Sequence, residues 1–401
     1  MATRRANGEG NVYQRPDGLW EGRVRYTDPA TGQRKRVSVY GTTAKAARAK
    51  LKESRDRLED GAPPRDATRT VGEWLAHWRA TTLAASDRKE STRELYATLC
   101  RRHLEADPFG TIRLDRLRPS DIEALILAMR AKTKPGKRAP DADDDDAEPA
   151  PVRALSDSTV RQVYTILRSG LDGACRDGLL AKNPAALVKR PGVERTEAKH
   201  LDADAVTALL RAAENSRYYP ALLLVASTGL RKGECLALKW SDVDLDAGAL
   251  VVRATLGRIG TRLVISEPKT ARSRREVPLH PSVVTMLRKH RTAQKAERLR
   301  AASNWQNTEL VFTTELGGPV DPRNFLRVIE TAAKTAGVQG VGIHTLRHSA
   351  AVAWLESGVH IKAVADLLGH SSVSVTGDVY GHSSDATARA AIDGLGARLG
   401  L

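Results

Sequence analysis

Apolar and polar residues change their spacing along the chain, and the first stretch has the spacing of strands. Residues 20–26 and 34–40 alternate apolar and polar side chains with a period of two, which is typical of strands with one buried face. A Pro-Asp-Gly turn at residues 16–18 precedes them and follows a shorter strand that begins near residue 10. An Ala- and Lys-rich segment, capped by Thr42 or Thr43, then predicts a helix to about residue 58. We therefore predict a three-stranded sheet with one helix.

Helical spacing begins after a proline-containing linker at residues 61–64 and continues to about residue 190. Trp74, Leu75 and Trp78 fall on one helical face. Residues 120–123, Ser-Asp-Ile-Glu, have the pattern of a capping box that opens a helix, and Asp157 or Ser158 is placed to cap another. This segment is predicted to be a bundle of four or five helices.

The remaining chain mixes the two spacings. Residues 201–204 predict a helix start, residues 219–227 a strongly apolar helix, and residues 250–253, 262–266 and 275–278 three strands before helices resume. The predicted fold class is multidomain, mainly α with small β-sheets. Its predicted domains are residues 1–62, 68–190 and 196–401.

Charge narrows the class of partner. Lys and Arg total 64 against 48 Asp and Glu, a formal net charge of +16, which favours a polyanion such as nucleic acid. Arg23, Arg25, Arg34 and Arg36 fall on the first predicted strands and are candidates for DNA contact, since a small sheet can enter the major groove. A solvated basic face is the alternative for this segment.

One internal segment has the opposite charge. Residues 132–153 lack periodicity, are rich in proline and contain the acidic run 141–148. Because like charges repel one another and also repel phosphate, we predict a disordered loop that points away from DNA.

Composition also limits the kind of protein. Cys100, Cys175 and Cys235 are widely separated, so neither a disulfide framework nor a zinc site is predicted. The N-terminus lacks the apolar segment of a secretory signal, and the apolar run 221–226 is far shorter than a membrane span. We therefore expect a cytoplasmic protein without membrane attachment.

Five short patches in the last domain carry residues suited to chemistry. Taken singly, each has an ordinary structural explanation, such as a surface cation or a packed histidine. Together they suit phosphodiester transfer, in which two guanidinium groups clamp the attacked phosphate and a tyrosine acts as nucleophile. A lysine or histidine is a suitable proton donor for the departing oxygen. In chain order the candidates are Arg231, Lys269, His344, Arg347, His370 and Tyr380.

The local sequences around these residues resemble those of the tyrosine recombinase family, the integrases of temperate phages and integrative elements. The matching segments are TGLRKGE at 228–234, HTLRH at 344–348 and LGHSSVSVTGDVYGH at 368–382. The resemblance implies that Arg231 and Arg347 bind the scissile phosphate and that Tyr380 attacks it, leaving a 3′-phosphotyrosine. It further implies that Lys269 protonates the leaving 5′ oxygen, His344 acts as general acid or base, and His370 hydrogen-bonds the phosphate. Lys269 has near rivals in Lys232, Lys239 and Arg272.

The resemblance extends to the rest of the chain. Residues 68–190 are similar to the family's core-binding domain, and the first 60 residues to its AP2-like arm-binding domain. The implied partners are double-stranded core-type and arm-type attachment sites, three further copies of the chain in a tetramer, a host DNA-bending factor and an excisionase. No cofactor or metal is implied, and the location would be nucleoid-associated. Residues 386–395 would dock on a neighbouring subunit or pack on their own domain.

Three other functions use related features. A type IB topoisomerase relaxes one duplex by the same phosphotyrosine chemistry, and a chromosome-dimer resolving recombinase belongs to the same family. A DNA-binding regulator that has kept the fold without cutting is the third. The arm-like N-terminal segment favours an integrase over the first two, and the complete set of six candidate residues disfavours the third.

Overall fold

The computed structural model describes residues 11–27, 34–59, 69–136, 150–194, 199–268 and 273–370, together with positions 372, 377 and 393. The chain divides into two compact units, Met1–Arg195 and Thr196–Leu401. Helices predominate in both units, and the strands form small sheets of two or three members. The mainly α fold class with small β-sheets is confirmed.

The first unit opens with the predicted sheet and helix. Gly18 lies in the first turn with φ +84°, a conformation that glycine adopts without strain. Thr43 caps the helix, its Oγ1 accepting a backbone N–H from the first turn at 3.1 Å. Val24, Ala47 and Leu51 are buried between the helix and one face of the sheet. The antiparallel strands are β1 (Asn11–Gln14), β2 (Trp20–Thr27) and β3 (Arg34–Gly41), followed by α1 (Ala44–Glu59).

A helical bundle follows in the same unit. Its helices are α2 (Val71–Trp78), α3 (Glu90–His103), α4 (Pro119–Ala131) and α5 (Asp157–Arg176). The predicted apolar face of α2 is confirmed, because Trp74, Leu75 and Trp78 are all buried. Trp74 Nε1 donates to the carbonyl of Gly170 on α5 at 2.8 Å. A Cβ on Gly170 would lie only 2.4 Å from Leu75 Cδ2, so the missing side chain lets the two helices approach.

Two predicted helix starts in this bundle are wrong by one or two residues. Helix α4 begins at Pro119, before the predicted cap at Ser120, because proline suits the first helical position, where no N–H is needed. The Asp121 carboxylate accepts the N–H of Arg118 at 2.8 Å and completes this start. Helix α5 is capped by Ser156, although Asp157 or Ser158 was predicted. Adjacent short polar side chains compete for the same cap, and their spacing alone does not choose between them.

The predicted loop 132–153 is paired at both ends. Strands β4 (Thr133–Lys134) and β5 (Val152–Arg153) form a two-residue antiparallel ladder, which the lack of periodicity did not predict. The acidic run lies outside the described residues, so its disorder and its direction stay predictions.

The second unit encloses its core with seven helices and two small sheets among its described residues. The predicted apolar helix α7 is confirmed, and its side chains pack among those of the sheet and of the neighbouring helices. The helices are α6 (Ala203–Ala212), α7 (Tyr219–Thr228), α8 (Lys232–Leu236), α9 (Pro281–Ala301), α10 (Pro322–Thr335), α11 (Ile343–Glu356) and α12 (Ile361–Leu368). None of the helices described in either unit is long and apolar enough to span a bilayer.

The sheets of this unit contain two strands that the sequence pattern missed, β6 and β8. The strands are β6 (Val243–Asp244), β7 (Ala249–Val252), β8 (Thr255–Ile259), β9 (Arg262–Ser266) and β10 (Arg275–Pro278). Strand β8 pairs with β9 as a hairpin, whereas β10 pairs with β7. The chain between β9 and β10, which contains Lys269, therefore connects two different sheets.

Candidate active site

Two glycines in the segment 228–234 set the position of the first predicted arginine. Gly229 ends α7 with φ +63°, and a Cβ there would lie 2.9 Å from Leu368 Cδ2. A Cβ on Gly233 would lie 2.4 Å from Thr255 Oγ1. Neither position leaves room for a side chain, so other segments pack closely against the backbone at both glycines. Arg231 stands between them, at the start of α8.

Helix α11 carries the second arginine and the first histidine. His344 is more exposed than Arg347, three residues later, whose side chain is buried. Arg347 Nη1 donates to the carbonyl of Gly229 at 2.7 Å, and Nη2 donates to that of Leu368 at 2.6 Å. Since a buried guanidinium is costly unless its donors are satisfied, these carbonyls fix its orientation.

The carboxyl end of α12 is where the two arginines meet. Gly369 ends this helix in the left-handed conformation, with φ +65°, and His370 follows directly. Arg231 donates to the carbonyls of Leu368 and Gly369 at 3.5 and 3.3 Å. The last carbonyls of a helix lack partners within it and carry partial negative charge, so they attract cations. Arg231 and Arg347 are thus brought together beside His370.

Two residues of this cluster were missed by the sequence reasoning. The buried carboxylate of Glu234 accepts from Arg231 Nη1 at 2.8 Å and from Arg275 Nη2 at 2.9 Å. Glu234 had a local signal, because it lies three residues after Arg231 at a helix start. Arg275 had none, since only the tertiary fold brings it to a residue 41 positions earlier.

Burial and nearby positive charge keep both predicted histidines neutral. Burial, reinforced by Arg347, Arg231 and Arg275, lowers the pKa of His370 to about 4. Partial burial of the His344 ring, together with Arg347 and nearby Lys232, holds the pKa of His344 below its ordinary value. At neutral pH each imidazole therefore has one nitrogen that donates and one that accepts.

Four of the six predicted catalytic residues are brought together, namely Arg231, His344, Arg347 and His370. Two guanidinium groups beside two neutral imidazoles can hold a tetrahedral anion and exchange a proton next to it. Lys269, Tyr380 and the segment 386–395 lie outside the described residues. Their predicted roles therefore stay predictions.

The four N-terminal arginines share one face of the first sheet. Register places Arg25 opposite Arg36, and alternation places Arg23 and Arg34 on the same side. Arg23 donates to Glu21 at 2.7 Å, which with the Tyr13 hydroxyl lowers the pKa of Glu21 to about 2. The other three arginines are exposed. Arg23 is therefore partly committed to an internal ion pair.

Other surface features of the second unit lie apart from this cluster. A cleft of about 490 Å³ beside β6 and β7 is lined by Asp242, Asp244, Glu276, Arg288 and others, and includes none of the four gathered residues. Among the residues that the structure describes, no group of three or more His, Cys, Asp or Glu side chains is placed to hold a metal ion.

Comparisons with known proteins find phage integrases and tyrosine recombinases. The model of the phage integrase family matches residues 199–387, which include all four gathered residues. A tyrosine recombinase XerC-like protein of Caldanaerobacter subterraneus is 29% identical, covering 85% of this chain and 86% of that protein. An integrase of Saccharopolyspora erythraea is 26% identical over 93% of each chain. In fold, the chain is similar to one chain of a lambda integrase tetramer bound to a Holliday junction, with a TM-score of 0.57 and 20% identity. The match covers 91% of this chain and 96% of that chain. Residues 199–387 are therefore similar to the phage integrase family, and most of the chain is similar to tyrosine recombinases and integrases.

Proposed function

We propose that this protein is a site-specific integrase that cleaves and rejoins DNA through a 3′-phosphotyrosine at Tyr380. The observation that carries the proposal is the meeting of Arg231 and Arg347 at the carboxyl end of α12, beside His370. Tyr380 follows His370 by ten residues, so the chain that leaves this cluster carries the nucleophile. The cleavage integrates or excises a phage genome or another mobile element.

The reaction is a transesterification, in which a phosphotyrosine bond replaces the broken phosphodiester bond and keeps its energy. Tyr380 Oη attacks the scissile phosphorus and releases its proton to His344, while the bond to the 5′ oxygen breaks. Lys269 supplies the proton that the 5′ oxygen takes up. Arg231 and Arg347 neutralise the charge that develops on the non-bridging oxygens, and His370 donates a hydrogen bond to one of them. Attack by a 5′ hydroxyl of the partner duplex reverses each step.

The proposed division of labour follows the three predicted domains. Residues 196–401 cleave the DNA, residues 68–190 bind the core-type site, and residues 1–62 bind arm-type sites. Because strand exchange joins two duplexes, we propose that four copies assemble on the DNA, as the lambda integrase tetramer does on its Holliday junction. A DNA-bending factor and an excisionase are proposed as partners, and the proposed location is the nucleoid in the cytoplasm.

A strand-exchange assay tests the proposal against relaxation alone. Two duplexes carrying the junction sequences that flank the integrated element, each with a different fluorescent end label, are incubated with the full chain. We expect recombinant products that carry both labels, because a 5′ hydroxyl of one duplex attacks the phosphotyrosine of the other. Relaxation of a supercoiled plasmid without recombinant products would support the topoisomerase alternative. Binding without a covalent adduct would support the regulator.

Exposed arginines of the N-terminal sheet should contribute to arm-site affinity. Replacing both Arg25 and Arg36 by Ala is expected to weaken arm-site binding at least about 10-fold and to reduce its salt dependence, because each phosphate contact releases counterions. Electrophoretic mobility shifts at two salt concentrations measure both quantities. The matched control is Lys45→Ala with Arg48→Ala on α1, which removes the same charge from another element. Equal losses in the two variants would mean that net charge alone attracts the DNA.

A further inference from the structure

Arg275 is a buried cation whose contacts lead to the active site. It begins β10, and its side chain is only 6% exposed. Burying a guanidinium costs free energy unless every charge and donor is compensated, so the contacts that compensate it are informative. Arg275 has three kinds of partner: the carboxylate of Glu234, the carboxyl end of α12, and the carbonyl of Ser273.

The first contact balances a carboxylate that also binds Arg231. Glu234 Oε1 accepts from Arg231 Nη1 at 2.8 Å and from Arg275 Nη1 at 3.3 Å. Its Oε2 accepts the backbone N–H of Arg231 and Arg275 Nη2, each at 2.9 Å. Burial pushes the pKa of the Glu234 carboxyl upward, but Arg275 and Arg231 together leave it below its ordinary value. Without Arg275, the negative charge of Glu234 would fall on Arg231 alone.

The second contact holds the end of the helix on which the site is built. Arg275 Nε donates to the carbonyl of Leu367 at 2.6 Å. A Cβ on Gly369 would lie 2.8 Å from Arg275 Nη1, so the guanidinium packs closely against this glycine. The next two carbonyls accept from Arg231 and Arg347, and His370 follows. Arg275 thus fixes the backbone that orients the two phosphate-binding arginines.

We propose that Arg275 is a positioning residue for the cleavage step. It neutralises Glu234, so that the guanidinium of Arg231 keeps charge available for the scissile phosphate, and it anchors the carboxyl end of α12 beneath His370. The assignment rests on the proposed recombinase function, because it names the reaction that the arrangement serves. Arg275 itself is too deeply buried to reach the DNA and acts through Glu234 and α12.

Cleavage by variants at this position tests the proposal. The rate at which the protein becomes covalently joined to DNA is measured in a single turnover, at saturating concentrations of a nicked duplex that carries the junction sequence. Affinity is measured separately with the same duplex. Arg275→Lys keeps the charge and loses the planar fork, so we expect adduct formation about 30-fold slower with affinity changed less than about twofold. Arg274→Lys is the matched control, since the neighbouring arginine is 57% exposed and pairs with Glu267 at the surface. It should cleave at the wild-type rate.

A charge rescue separates positioning from a purely structural role. In Arg275→Ala the carboxylate of Glu234 is left to Arg231, so adding Glu234→Gln should raise the cleavage rate at least about fivefold above that of Arg275→Ala. On a duplex with a neutral methylphosphonate at the scissile position, the defect of Arg275→Lys should shrink, because less negative charge needs to be met there. Thermal unfolding confirms that each variant is folded.

The results distinguish this proposal from the function on which it rests. Wild-type rates in Arg275→Lys, or no gain from Glu234→Gln in the Arg275→Ala background, would overturn the positioning role while leaving the recombinase function intact. A wild-type chain that forms no adduct with the junction duplex would overturn both. A defect that is equally large on the methylphosphonate duplex would assign Arg275 to folding alone.

Discussion

Replacing Tyr380 by Phe is expected to abolish the covalent protein–DNA adduct and to leave DNA affinity within about twofold of wild type. The substitution removes only the nucleophilic oxygen, so the loss of rate should exceed about 10⁴-fold. The measurement uses a nicked duplex whose short 5′ fragment diffuses away after cleavage and traps the adduct. Denaturing electrophoresis then separates the slow covalent complex from free protein.

The control for this result is Tyr219→Phe, which removes a hydroxyl from the first residue of α7 in the same unit. It should accumulate adduct at the wild-type rate. Digestion of the wild-type adduct, followed by mass spectrometry, should locate the nucleotide on the peptide that contains Tyr380. An adduct that persists in Tyr380→Phe would falsify the proposed nucleophile, whichever residue then carried the DNA.

The second large effect is expected at Arg347. Arg347→Ala should slow adduct formation about 10³-fold or more, because one of the two guanidinium groups that stabilise the developing charge is lost. It should also destabilise the unit, at a cost of about 1–3 kcal/mol for an unsatisfied buried group, since the carbonyl of Gly229 loses its donor and that of Leu368 keeps only the longer bond from Arg231. Both losses are measured, the first by single-turnover cleavage and the second by thermal unfolding.

A destabilised variant with an intact site separates these two effects. Leu209→Ala removes a fully buried side chain from α6 and is expected to cost about 2–5 kcal/mol without touching the arginine cluster. At a temperature where both variants are folded, Leu209→Ala should cleave at the wild-type rate and Arg347→Ala should not. Equal cleavage by the two would mean that Arg347 supports the fold and contributes nothing to the chemistry.

Much of the local structure was predictable because its causes are local. The alternation of residues 20–26 produced a strand, the apolar run 219–227 produced a helix, and the spacing of Trp74, Leu75 and Trp78 placed them on one helical face. Such features depend on backbone conformation and on periodicity within a few residues, which the order of side chains specifies directly.

Other local predictions were wrong, or were not made, where several conformations were close in energy. The cap of α5 shifted because neighbouring short polar residues can each accept an N–H, and α4 began earlier because proline suits the first helical position. The strand β8 was missed because its five residues, 255–259, include a glycine and an arginine and alternate poorly. These residues form a strand because they pair with β9.

The candidate site was also predictable only in part. The identities and order of Arg231, His344, Arg347 and His370 were enough to suggest phosphate chemistry, since guanidinium groups suit the charge that develops on an attacked phosphate. These residues come together because α7, α11 and α12 pack against one another, which brings the arginines within hydrogen-bonding distance of the same backbone carbonyls.

Tertiary structure alone revealed why the arginines face the same point. The partners that orient them are backbone carbonyls at the end of α12, and every residue type has such a carbonyl, so the sequence contains no sign of them. The same holds for Arg275, which meets Glu234 across 41 residues. The sequence specifies the chemistry of each side chain. Burial away from water and the sharing of one carboxylate by two arginines arise only when the folded chain brings these side chains together.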